Sequence, residues 1–528
     1  MSTHRNTVIL SEGSRLHASR SRRTRQPTSS RTAFGPFHPR ALLCLLLLLL
    51  ALPARAHVGN KDVFETITAG PYKFFVTIRT PLVVPGVATL EVRSVGAPVT
   101  SLTITPLMLT GEASQHPPTP DAMKPSAADP AFYTGSLWLM GSGSWQIRFA
   151  IDGPSGPMAA SVPVAAAPIA VLHMQRPLGI LLAILGLILI LGIVGITAAA
   201  VRESRLAPGL QADAPRKRRS LLAAALALVL SIVAVYWAGR WWNFEAADYA
   251  SNVYQASDLR ATLTGDKLDL TIGDPIPATK DKPATWEPVK LSRLLLDHDH
   301  LMHLYAIRYP QMDAVFHLHP EPSSDKSLSI DLPPMPPGTY KLFADIVYHS
   351  GFPETETADL TIPANLPSVP LSAEDAYAAP PPLSSGELGP SWKLPDGYTM
   401  VFDRPATITA TTGYSFRFHL LDPNGNPPTD MQPYLGMAAH AAFVKSDFTA
   451  FAHTHPDGSA AMPAMMLAEA STASLDSAST MTMTMPDAPI PSTVEFPYGF
   501  PSPGRYRIFI QMKHSNTVET GVFDVEVH

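Results

Sequence analysis

Most of the chain alternates apolar and polar residues in short runs. Lys73-Phe-Phe-Val-Thr-Ile-Arg79 and Trp145-Gln-Ile-Arg-Phe-Ala-Ile151 show the period of two expected of half-buried strands, with Gly and Pro between such runs. The pattern predicts a β-sandwich over 57–170, a second over 256–365 and a third over 396–528. A stretch rich in Pro, Ala and Ser at 366–395, centred on Pro380-Pro381-Pro382, reads as a semi-rigid linker. Two runs break the alternation. Residues 177–201 and 220–239 carry no charge and are each long enough to cross about 30 Å of hydrocarbon as a helix. The fold class is therefore mainly β, three sandwich domains plus two transmembrane α-helices.

The N-terminal 56 residues read as a cleaved signal peptide. Arginines precede the apolar run Ala41 to Leu52, and Ala54-Arg55-Ala56 is a small-x-small cleavage site. The pair Arg22-Arg23 would suit twin-arginine export but sits far from the apolar run. The 202–219 loop carries Arg202, Arg205, Arg216, Lys217, Arg218 and Arg219 against Glu203 and Asp213, which places it in the cytoplasm. Trp237, Trp241 and Trp242 fall where an outer interfacial belt is expected. The expected location is the cytoplasmic (inner) membrane of a bacterium, two-pass, with both large regions outside the cytoplasm.

Charge and cysteine usage narrow the chemistry. Losing nine arginines and one glutamate with the leader takes the net charge from −5 to −13, and so acidic a chain is not expected to bind nucleic acid. Cys44, the single cysteine, lies in the leader, so the mature chain is expected to have neither disulfides nor thiolate metal ligands.

The second and third units repeat each other. His303 is followed by Phe316-His317-Leu318-His319-Pro320, then Pro337-Gly338-Thr339-Tyr340, His349 and Glu354-Thr355. The third unit has His440, Phe451-Ala452-His453-Thr454-His455-Pro456, Pro503-Gly504-Arg505-Tyr506, His514 and Glu519-Thr520. Alternation puts His317 and His319 on one strand face, and an antiparallel neighbour would bring His303 within reach. Three imidazoles on one face suit copper or, second to it, zinc. His349 and the run Asp297-His298-Asp299-His300 are candidate fourth ligands or outer partners, and the third unit repeats the set with His440, His453, His455 and His514. Met481, Met483 and Met485, with Met462, Met465 and Met466 nearby, offer soft thioether ligands for Cu(I). His57, the first residue after the expected cleavage, could chelate copper through its amine and ring. Two separate sites, or one site across the linker, satisfy the pattern equally. The competing reading leaves the histidines solvated or packed against turns, and the methionines filling gaps.

The β units ending in Pro-Gly-x-Tyr-x-x-Phe and tied to membrane helices resemble the FixH- and YtkA-like immunoglobulin-like envelope domains and, more loosely, CopC-like copper proteins. The resemblance implies three immunoglobulin-like β-sandwich domains and an association with copper. The expected function is a membrane-anchored extracytoplasmic module for copper capture or buffering. The alternative is an assembly protein that docks an envelope protein partner. No enzymatic activity is expected, because the chain has no Gly-x-Ser-x-Gly, phosphate loop or thiol nucleophile, and Pro320-Glu321-Pro322 replaces the Asp-His pair that a His-x-His hydrolase needs.

Overall fold

The computed structural model describes residues 62–207, 209–276, 283–473 and 489–528. The expected leader, His57 and the run from Met481 to Met485 lie outside these residues. Among the described residues the chain forms six antiparallel sheets and three α-helices.

Alternation decides which side chains point inward. Phe74, Val76 and Ile78 of Tyr72–Arg79 are buried, as are Ile147, Phe149 and Ile151 of Gly143–Asp152. These two strands belong to different sheets and meet in one apolar core. A second core joins two sheets within 258–378, and a third joins two within 391–527.

The repeat seen in the sequence is also a repeat of strand order. In the second unit Leu294–Leu295, Gly338–Tyr348, His303–Arg308 and Val315–Leu318 lie side by side, and Pro353–Ile362 also pairs with Gly338–Tyr348. In the third unit Met431–Gln432, Gly504–His514, His440–Lys445 and Phe451–Thr454 take the same order, with Thr517–Val527 on Gly504–His514. Register refines the alignment: His303 faces Asp345 and His440 faces Gln511. Counting three residues on from each, His514 corresponds to Tyr348 and not to His349. A slip of one residue changes the face of a strand, and His349 accordingly lies exposed in the turn after Tyr348 while His514 is buried.

Helix α1 (Arg176–Glu203) and helix α2 (Ala214–Ser251) are long and apolar enough to cross a membrane. Each has a proline at its second residue, Pro177 or Pro215, which needs no N–H partner in a first turn, and Asp213 caps α2 by accepting from the Arg216 amide. Ser220 Oγ donates to the Ala198 carbonyl at 2.7 Å, joining the two helices. The Tyr254 amide donates to the Pro168 carbonyl at 2.8 Å, so the chain enters and leaves the hairpin at the same end. Leu187, Ile188 and Leu226 are more than half exposed, so these helices present their apolar surface outward instead of burying it in the protein.

The second and third units pack through their repeated strands. Tyr305, Ile307, Val315 and Phe343 meet Ala442, Val444, Phe451 and Phe509, the corresponding positions of the sister unit, in one apolar cluster. The Phe343 and Phe451 rings stack at 4.3 Å. The 366–395 stretch is more than a spacer: its strand Ala376–Ala378 pairs with Val315–Leu318. The first region holds the loop after His455. The Thr66 amide donates to the Asp457 carbonyl at 2.7 Å, the Ser459 amide to Phe64 at 2.9 Å, and the Ala460 amide to the buried Glu65 carboxylate.

Candidate metal centre

Each unit enters its histidine strand through the same tight turn. Asp297 bridges to His300 around His298 and Asp299, whose φ values are 49° and 69°, and Tyr434 bridges to Met437 around Leu435 and Gly436, at 49° and 75°. Paired left-handed residues define a type I′ turn, which Asp and Gly accept more readily than His or Leu. The strands that follow carry His303 and His440. Their neighbours bring His317 and His319, and His453 and His455, to the same faces. Phe316 and Leu318 point the other way, into the second core.

Because these faces pack together, the two sets form one cluster between the units. The ring nitrogens of His303, His317 and His319 lie within 4.8 Å of one another. So do those of His440, His455 and His298, the last contributed by the turn of the second unit. His453 sits among both sets, with ring centres 5.1 Å from His303, 5.5 Å from His317, 5.4 Å from His440 and 4.9 Å from His455. His300 stacks on His319 at 4.3 Å, with its ring nitrogens 3.3 Å from Glu321 and 3.2 Å from Glu374.

Hydrogen bonds orient the rings. His303 Nε2 lies 3.1 Å from the Asp297 carbonyl oxygen, which can only accept, so Nε2 carries the proton and the Nδ1 lone pair faces His317 Nε2 at 3.1 Å. His317 Nδ1 contacts Gln511 Oε1 at 2.8 Å, and Tyr305 Oη donates to the same oxygen at 3.3 Å. His319 Nδ1 is 3.0 Å from an Asp375 carboxylate oxygen, His453 Nδ1 is 3.3 Å from Asp345, and His298 and His455 bond to the backbone of Leu435 and Ala460. An oxygen acceptor behind an imidazole fixes its tautomer and leaves the other nitrogen as a ligand. Two of these contacts are reciprocal: Gln511 of the third unit serves His317 of the second, and Asp345 of the second serves His453 of the third.

Burial, followed by neighbouring imidazoles, pushes His303, His317, His440 and His455 well below the ordinary 6.5, and His298 down to about 4. Burial lowers His319 as well, opposed by its bond to Asp375. The rings are therefore neutral at pH 7, the form that binds metal. Asp297 is pushed by burial up to about 7, and one of its oxygens has no hydrogen bond. Six ring nitrogens are likewise buried without a hydrogen-bond partner among the described residues: both of His440, and Nε2 of His298, His319, His453 and His455.

The structure thus gathers His303, His317, His319, His440, His453 and His455, together with His298 and His300. It does not bring in His349, which is exposed at the far end of its strand, or His514, which lies with Asp396 and Glu519. Asp345, Gln511, Asp375 and Tyr434, whose hydroxyl lies 3.2 Å from His317 Nδ1, escaped the sequence reading. The first two stand opposite the leading histidine in each repeat, a signal that register would have exposed. Asp375 sits in the stretch taken for a linker.

Residues 393–528 match a family described as a domain of unknown function (DUF8832). No curated protein matches the chain. Among solved structures, Salmonella alpha-2-macroglobulin reacted with methylamine aligns at 8% identity and TM-score 0.19, over 90% of this chain and 24% of its own. A 1.5-MDa bacterial ice-binding adhesin aligns at 5% identity and TM-score 0.13, over 84% of this chain and 91% of its own. Latent PorU from Porphyromonas gingivalis aligns at 8% identity and TM-score 0.13, over 88% and 34%. Likeness at this level carries no argument about function, and any reading of this chain rests on its own residues.

Proposed function

We propose that the chain is a membrane-anchored, extracytoplasmic metal-binding module that captures or buffers copper, with the imidazole cluster between the second and third units as its site. On this reading the six sheets are three immunoglobulin-like sandwiches, the helical hairpin is the anchor, and the arginine-rich 202–219 loop is cytoplasmic.

The observation that carries the proposal is the set of six ring nitrogens that are buried without a hydrogen bond among the described residues, one of them, His298 Nε2, standing 3.5 Å from Asp297 Oδ1. A buried polar group without a partner costs about 1–3 kcal/mol. Six would cost roughly 6–18 kcal/mol, comparable with the whole stability of a domain at about 5–15 kcal/mol. Water can satisfy such nitrogens singly. They belong to five rings, and with His303 Nδ1 and His317 Nε2, which face each other at 3.1 Å, these rings supply two converging sets of three. All but His440 have an oxygen acceptor behind them, and the sets match instead the donors of an ion held at about 2 Å by imidazoles. Thiol-free imidazole sets suit Cu(II) and Zn(II), and the Met462, Met465 and Met466 positions on helix α3 (Met462–Ala473) begin seven residues after His455, which favours copper.

The test is metal content. Full-length protein in detergent, stripped with chelator and re-equilibrated with copper and zinc together, should retain two equivalents of copper. Replacing His317 and His453 with Phe should remove both. Retention by that variant equal to wild type would reject the proposal.

A further inference from the structure

A second group of ligand-type side chains lies apart from the imidazole cluster. Three residues beyond Gln511 on the same strand, the parity of side chains turns His514 away from the cluster and in between the two sheets of the third unit. Asp396 reaches it from the turn between Ser391–Lys393 and Thr399–Phe402 of the other sheet, and Glu519 from the start of the final strand. Ligand atoms of these three residues lie within 4.8 Å of one another. The His514 ring is 2% exposed and stacks on Tyr398 at 4.0 Å. Its Nε2 is 3.1 Å from Asp396 Oδ2, yet neither ring nitrogen makes an aligned hydrogen bond. Asp396 is held by its other oxygen, which accepts from the Tyr398 amide at 3.0 Å. Behind the ring, Asp430 Oδ2 stands 3.5 Å from Nδ1, the place of the carboxylate that supports a metal-bound imidazole, and Ser515 Oγ donates to that carboxylate.

The sister unit provides an internal control. Tyr348 occupies the position of His514 and Glu354 that of Glu519. There Tyr348 Oη donates to Glu354 at 3.0 Å, Tyr254 Oη donates to the other Glu354 oxygen, and Ser257 Oγ donates to Asp274 at 2.8 Å. Hydroxyl protons close that site. In the third unit imidazole and carboxylates converge with no lysine or arginine among their ion-pair partners in the described residues.

We propose that Asp396, His514 and Glu519, backed by Asp430, form a second metal site that takes a divalent cation of the manganese or zinc kind. Two carboxylates and one imidazole make an oxygen-rich donor set unlike the all-nitrogen cluster, and three protein ligands leave a position open to solvent on the exposed Asp396 side. The two sites are thus expected to sort metals by ligand hardness.

Full-length protein in detergent, stripped and then loaded with copper to occupy the imidazole cluster, is titrated with Mn(II) and followed by electron paramagnetic resonance, with a parallel Zn(II) dialysis. The expected result is one further equivalent of Mn(II) or Zn(II). E519Q should weaken it at least tenfold. H514Y, which installs the residue of the sister unit and so keeps a side chain this fold accommodates, should do the same, and copper content should stay at the wild-type level in both. D430N should weaken the site about 10- to 100-fold through loss of outer support. The proposal is overturned if wild type takes up neither ion beyond its copper, or if E519Q and H514Y bind as tightly as wild type. Neither result touches the copper reading, which depends on other residues.

Discussion

The second and third units share strand order and register but have kept different things on the two faces of one strand. At the face where they meet, both keep the imidazole triplet, and the partners Asp345 and Gln511 each serve a histidine of the other unit. On the opposite face, between the sheets of each unit, they diverge, with tyrosine hydroxyls closing Glu354 in one and His514 joining Asp396 and Glu519 in the other. The turns differ too: His298 and His300 stand where the third unit has Leu435 and Met437. The common face therefore gathers one imidazole cluster from two halves, and the turn makes that cluster asymmetric by sending His298 across to His440 and His455.

Removing the contact between the halves should have the largest effect. Phe451→Ala deletes a buried ring stacked on Phe343 and should cost about 3–5 kcal/mol, read by denaturant unfolding of the full chain. Copper retention should fall with it, whereas the same change far from the face should not affect metal. Next comes metal itself: if the cluster is loaded only in the folded state, copper at 100 times its Kd should stabilise by about 2.7 kcal/mol, seen as a higher Tm that chelator reverses.

Acid should act on the same face. Below the ordinary histidine pKa of 6.5 an unfolded chain takes up protons that buried His298 refuses until about 4. The contribution of the buried imidazoles to the stability of the metal-free protein is therefore complete above 6.5 and is lost as pH falls from 6.5 toward 4, opposed in part by buried Asp297, whose pKa is raised to about 7. Copper affinity of the folded protein should fall only as pH approaches about 4. A flat Tm between pH 7 and 4.5 would contradict neutral burial. The smallest effect belongs to outer support. Asp375→Asn keeps a side-chain oxygen near His319 but removes the charge, and should weaken copper by about 10-fold without changing its stoichiometry.

Much of this was legible in the sequence. Period-two alternation placed Phe74, Val76, Ile147 and Phe149 in a core, uncharged runs marked both long helices, and the repeat picked out His303, His317, His319 and their counterparts. What could not be read was register and long-range pairing. Aligning His349 with His514 was off by one residue, and only strand pairing reveals that slip. Nor does local pattern say that two amphipathic faces pack on each other. Alternation marks a buried face without naming its partner, so one site and two sites were equally compatible with the pattern. Asp375 was hidden for a related reason, since its proline-rich surroundings signal a linker and its role depends on a strand pairing across sequence.

The most direct test of the centre is the copper content of full-length His298→Leu, His455→Phe and the double variant, measured side by side. These residues come from different units but face one set of nitrogens. The account predicts that each single variant loses the same one equivalent and that the double variant loses no more, the non-additivity of residues sharing one ligand. Loss of two equivalents by the double variant, or of none by His298→Leu, would contradict a centre built jointly by the two units.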